Sequence, residues 1–199
     1  MGLTPSLTNL FQFIGTLTPI LVSFFFLGAS VINQNIKGLI YIGGILIAYF
    51  INIGLQSILS IKRPVEASFV CGIYDLGITS NVSTPNWSSV FIMFTLGYIF
   101  LPMNYANTIN YPIVIALLAL FAIDATSVLA NKCSGFMGVV LGGLFGALLG
   151  SLWYGIIKST GNSKLLYFEE TTNGETCSRP DKQTFKCAVY KNGKVIKNL

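Results

Sequence analysis

Five apolar stretches constrain this chain more than any other feature, because each is close to the roughly twenty residues that a helix needs to cross the hydrocarbon core of a bilayer. They run from about Leu10 to Ile32, Gly38 to Ile61, Ser89 to Met103, Tyr111 to Asn131 and Phe136 to Ile157. Only 10% of the residues are charged and 53% are apolar, whereas soluble domains carry about a quarter charged residues. The expected fold is an all-α membrane protein: a bundle of five transmembrane helices over residues 1-157. The first stretch has no basic start and outruns a signal-peptide core, so it is expected to stay in the mature protein. Met1-Gly2 followed by Ser6 fits the N-myristoylation pattern loosely.

Composition changes after Ile157. Residues 158-199 hold eight of the twelve basic residues and four of the seven acidic ones, with alternating stretches at 164-170 and 184-190. Asn173-Gly174 and Asn192-Gly193 are type I′ hairpin signals, so this basic tail is expected to be a small β-hairpin appendage. Cys177 and Cys187 sit close together in it and form a candidate disulfide for an oxidising setting, or buried thiols in a reducing one. Cys71 and Cys133 read as isolated, and no CxxC or metal-ligand spacing occurs. No metal or cofactor is expected, and a charged tail on a membrane bundle does not suggest nucleic-acid binding.

Within the bundle, Gly138, Gly142, Gly146 and Gly150 recur every fourth residue, which gives one helix a smooth face for close packing. Asp124 is the only charge deep in an apolar stretch. There it serves as a proton or cation site, as a partner for Arg63, or as a hydrogen-bonded lock between helices, and the lock is favoured because a transport path needs more than one such group. Trp153, Tyr154 and Lys158 read as an interfacial belt and anchor. The connection from Lys62 to Ser88 is long where the others are short, which marks it as the place for a site. The chain has no histidine, and this removes imidazole as base, nucleophile or metal ligand.

Arg63-Pro64 after a helix, Pro85 before the next, and Ser127 before a turn and a glycine-rich helix together resemble the core of the type-2 phosphatidic acid phosphatase superfamily of membrane lipid phosphatases, over roughly Ile51 to Leu149. That family carries Lys-x6-Arg-Pro, Pro-Ser-Gly-His and Ser-Arg-x5-His-x3-Asp. Here Arg63 and Pro64 stand, but the lysine position is Gln56, with Lys62 as a neighbouring cation. Pro85 stands, and the acid histidine position is Ser88. Ser127 stands, Val128 replaces arginine, Ser134 takes the place of the nucleophilic histidine, and Gly138 that of its orienting aspartate. Losing nucleophile, orienter and acid together removes the family mechanism, since such groups act as a unit.

The resemblance therefore implies a catalytically degenerate, non-enzymatic scaffold, with the lipid bilayer as its surroundings. A lipid phosphate headgroup is a candidate ligand at Lys62 and Arg63, and residues 158-199 are a candidate surface for a protein partner. A structural component of a membrane, for example the internal membrane of a large DNA virus, suits such a chain. The alternatives are a residual lipid-phosphate hydrolase or binding protein using Lys62, Arg63 and Ser134, and a small transporter centred on Asp124. The basic tail favours a cytoplasmic C-terminus, which puts the 62-88 loop and its sequons at Asn81 and Asn86 on the other side. A disulfide between Cys177 and Cys187 or a lipidated Gly2 would favour the reverse.

Overall fold

The computed structural model describes residues 7–72, 82–162, 165–167, 188–191 and 194–198. The chain divides into two compact units, Met1–Glu169 and Glu170–Leu199. Met1-Gly2 and Ser6, Asn81, Asn173-Gly174, Cys177, Cys187 and Asn192-Gly193 lie outside the described residues.

The first unit is a bundle of α1 (Leu7–Ile32), α2 (Lys37–Leu59), α3 (Trp87–Tyr105), α4 (Tyr111–Ala130) and α5 (Phe136–Ser159), with a 3₁₀ turn at Phe69–Gly72 between α2 and α3. All five helices are long and apolar enough to cross a membrane, the arrangement of a multi-pass membrane protein. Their ends differ from the apolar runs by a few residues for local reasons. Hydropathy runs on to Ile61, but α2 stops at Leu59 because Ser60 takes a left-handed conformation and its N–H bonds the Gln56 carbonyl at 2.8 Å. At the far end of α3, Pro102 does not stop the helix, which continues to Tyr105 before Ala106 N–H closes on the Pro102 carbonyl at 2.9 Å. Asn110 caps α4 by accepting from the Ile113 N–H.

Helix α3 is the axis of the bundle: 61% of its membrane-length window is buried, against 33% or less for the other four. Its Phe91, Ile92, Phe94, Tyr98 and Met103 fill the core with Tyr41 of α2. The 2.6 Å hydrogen bond between the hydroxyls of Tyr41 and Thr95 crosses that core. The large apolar side chains left outside, Phe24, Phe50, Ile58 and Leu144 among them, face where lipid would lie. Such an arrangement costs nothing in a bilayer, where hydrocarbon surrounds the protein.

The glycine face of α5 meets α3 backbone to backbone. A Cβ on Gly142 would sit 2.8 Å from the Asn86 carbonyl oxygen, one on Gly146 would strike the Val90 carbonyl with the Val90 carbon at 2.8 Å, and one on Gly150 would strike that of Phe94. From the α3 side, Gly97 answers with the same closeness to the Ala147 carbonyl, at 2.5 Å. Trp153 departs from the belt reading. Its indole fills the gap that Gly44 leaves on α2 and donates to the Ile40 carbonyl at 3.2 Å, so it packs between helices. Lys158, in the last turn of α5, stands 3.8 Å over the Tyr105 ring.

Successive helices reverse direction. The start of α1, the α2–α3 connection and the α4–α5 turn therefore share one end, called the loop end below. The 33–36 and 106–110 turns and residues 165–167 share the other.

Candidate functional site

The α2–α3 connection closes on itself at its base. Lys62 and Val82 form an isolated antiparallel bridge, and Ser83 N–H donates to the Ile61 carbonyl at 3.0 Å. This brings the Arg63 guanidinium to the Val82 carbonyl at 3.4 Å and turns it into a small polar cavity at the loop end of the bundle. The Thr84–Pro85 peptide that follows is cis.

The cavity has a volume of about 50 Å³ and is walled by side chains from every part of the loop end, including Gln56, Arg63, Asn86, Ser88, Asp124 and Ser127. That is room for a few water molecules or one small polar group. Of the residues singled out by sequence, Gln56, Arg63, Ser88, Asp124 and Ser127 are thus brought together. Lys62 is not among the lining residues; its side chain is exposed. Pro85 enters through its carbonyl, which accepts from Gln56 Nε2 at 2.8 Å.

Asp124, 1% exposed, lies at the inner end. Ser89 donates to its Oδ2 at 3.2 Å, and Ser88 supplies a second hydroxyl beside it. Both hydroxyls are held from the other side by Asn86, whose Nδ2 donates to Ser88 at 2.8 Å and to Ser89 at 3.0 Å. The result is a fan of polar groups joining the start of α3 to the middle of α4. Asn86 is the acceptor residue of a sequon, but its amide is committed to this network and lines the cavity, so it does not present itself as an exposed glycosylation site.

Ser127 and Ser134 serve as ties. Ser127 Oγ donates to the Gln12 carbonyl of α1 at 3.3 Å, and Ser134 Oγ, 3% exposed, donates to the Ser83 carbonyl at 2.8 Å. Ser134 does not line the cavity. The space beside Gly138 is occupied: an added Cβ would collide with Ser134 Oγ and lie 2.8 Å from Thr84 Oγ1. The Gly138 carbonyl accepts from Asn86 N–H at 3.0 Å, joining α5 to the same network.

Two features were not found from sequence. Cys71 and Cys133, read as isolated, are joined in a disulfide across 62 residues, with Cα atoms 5.1 Å apart. Both border the cavity. The bridge is backed by Ser68 N–H to the Asn131 carbonyl at 3.1 Å and by an exposed ion pair between Glu66 and Lys132, the latter worth little alone. The signal for the pairing was present, since five alternating crossings place the long loop and the Asn131 to Gly135 turn at the same end. Ser89 and Asn86 were also missed as cavity residues; they become visible only when α3 is known to start at Trp87, which turns both toward Asp124.

Among the described residues no group of three His, Cys, Asp or Glu side chains is placed to hold a metal ion. No family model, curated protein or solved structure matches the chain.

Proposed function

We propose that this chain is a non-enzymatic multi-pass membrane protein built on a degenerate lipid-phosphatase-like scaffold, with a structural or partner-binding role. The observation that carries the proposal is the use made of the positions where that scaffold would hold its reacting groups. Gln56 donates to the Pro85 carbonyl, Ser134 to the Ser83 carbonyl, and Gly138 leaves no room for a side chain. Each group is spent on holding the loop end together. A buried serine whose hydroxyl donates to a carbonyl, in a chain with no histidine, has no base to activate it as a nucleophile.

Purified protein supplied with phosphatidic acid is expected to release no more phosphate than an Arg63→Ala variant. Release that depends on Arg63 would overturn the non-enzymatic reading in favour of residual lipid-phosphate hydrolysis. Retention of a lipid phosphate headgroup at Arg63 without turnover is compatible with the proposal, because a guanidinium suits phosphate oxygens. For Asp124 the lock is preferred to a transport site, since its carboxylate is engaged by hydroxyls of α3.

The second unit is read as a β appendage offered to a protein partner. This is supported by the antiparallel pairing of β1 (Ala188–Lys191) with β2 (Lys194–Asn198), the two segments that flank the Asn192-Gly193 hairpin signal in the sequence. For orientation, two independent arguments agree. Eight of the twelve basic residues follow Ile157, which favours a cytoplasmic C-terminus, and the Cys71–Cys133 bridge at the opposite end of the bundle favours an oxidising compartment there. That orientation favours the thiol reading of Cys177 and Cys187 over the disulfide. A place in the internal membrane of a virion is retained as a proposal on the character of the chain alone.

A further inference from the structure

At the end of the bundle opposite the polar cavity, α1 and α4 part to leave an apolar groove of about 490 Å³, within the roughly 300–1,000 Å³ usual for ligand sites. Leu21, Phe25 and Ala29 form one wall, Ile113 and Ala116 the other, and buried Ile99 of α3 lies in its floor. From Leu21 to Ala29 the wall runs about 12 Å along the helix, most of the roughly 15 Å of one leaflet's hydrocarbon. A recess of this depth between two helices offers an alkyl chain more contact than the outer surface does.

Tyr167 borders the groove, and a cation stands beyond its ring. After α5 the chain turns back at Gly161, buries Leu166 completely in the core and lays Tyr167 over the groove. There the Tyr167 hydroxyl donates to the Phe26 carbonyl at 3.4 Å, and Lys37 at the start of α2 stands 5.9 Å over the Tyr167 ring. Lys158, the other cation described at this end, is stacked on Tyr105 instead. An apolar slot about 12 Å long, with Tyr167 at its border and the Lys37 ammonium beyond that ring, matches a molecule with an alkyl chain below and a negative charge above. We propose that this groove is a binding site for one acyl chain of an anionic glycerophospholipid, whose phosphate is held by Lys37. The site lies at the other end of the bundle from Arg63, so its occupancy is independent of what the polar cavity does.

The test is lipid retention. Full-length protein in detergent is exposed to an equimolar mixture of phosphatidylglycerol and phosphatidylcholine with matched chains and re-purified, and the bound lipid is counted by mass spectrometry. The wild type is expected to keep phosphatidylglycerol about fivefold over phosphatidylcholine, the preference one basic residue at an anionic surface supplies. Lys37→Gln is expected to keep the same total lipid with the preference gone. Ala116→Phe, which fills the groove from its exposed side, is expected to lose both lipids, and Ala29→Phe serves the same purpose if the first variant does not fold. Equal retention of the two lipids by the wild type, or full retention by a folded groove-filling variant, overturns the proposal. So does a wild-type dimer that Ala116→Phe splits, because the occupant is then a second copy of the chain.

Discussion

Asp124 illustrates how a carboxyl is tolerated at the centre of an apolar helix. With 1% of its surface exposed, it is kept by the company of Ser88, Ser89 and Asn86, each of which is itself held by another member of the group. A buried polar network of this kind is stable only while every member is satisfied. Asp124→Asn keeps the shape and an acceptor oxygen and is expected to cost under about 1 kcal/mol, whereas Asp124→Leu strands the hydroxyls and is expected to cost about 1–3 kcal/mol. Thermal unfolding in detergent separates the two, and equal losses would show that the network contributes nothing. A liposome flux abolished by Asp124→Asn would instead point to the transport reading.

At the scale of the helix, the glycine face converts sequence spacing into a distance. Gly146→Ala drives a methyl group into the Val90 carbonyl of α3, and the cost expected for such overpacking is about 1–3 kcal/mol. Gly155→Ala, on the same helix with nothing within 4 Å of the added atom, is expected to be neutral or slightly stabilising, since alanine is the better helix former. A Gly155 variant as damaged as the Gly146 variant would refute backbone contact as the reason for the spacing. This much was legible from the four-residue repeat, as were five helices from five apolar runs. The partner helix was not, because every apolar stretch here has similar hydropathy and none announces that it is the axis. Trp153 was misread for a related reason: an aromatic near a helix end suits an interface by composition, and only the gap at Gly44 turns it inward. The cavity was half legible. Gln56, Arg63, Ser88 and Ser127 were found by motif spacing, while Ser89 and Asn86 needed the start of α3.

For the whole molecule, the two connections at the loop end form a single structure through the Cys71–Cys133 bridge, the Ser68 to Asn131 bond and the Glu66–Lys132 pair. If that end faces an oxidising compartment, a membrane-impermeant maleimide applied to intact membranes from the tail side is expected to label Cys177 and Cys187. Cys71 and Cys133 should react only from the opposite side and only after reduction. Labelling of the tail cysteines from the loop side would reverse the orientation.

The same bridge makes the 63 residues from Cys71 to Cys133 a covalent ring that contains all of α3 and α4. A protease that cuts the 106–110 turn would sever the backbone and still leave one molecule, whose two pieces separate on a denaturing gel only when reductant is added. Within such a ring neither α3 nor α4 can be exchanged with a neighbouring copy as a free arm. Any segment-swapped oligomer of this chain must be made with segments outside the ring.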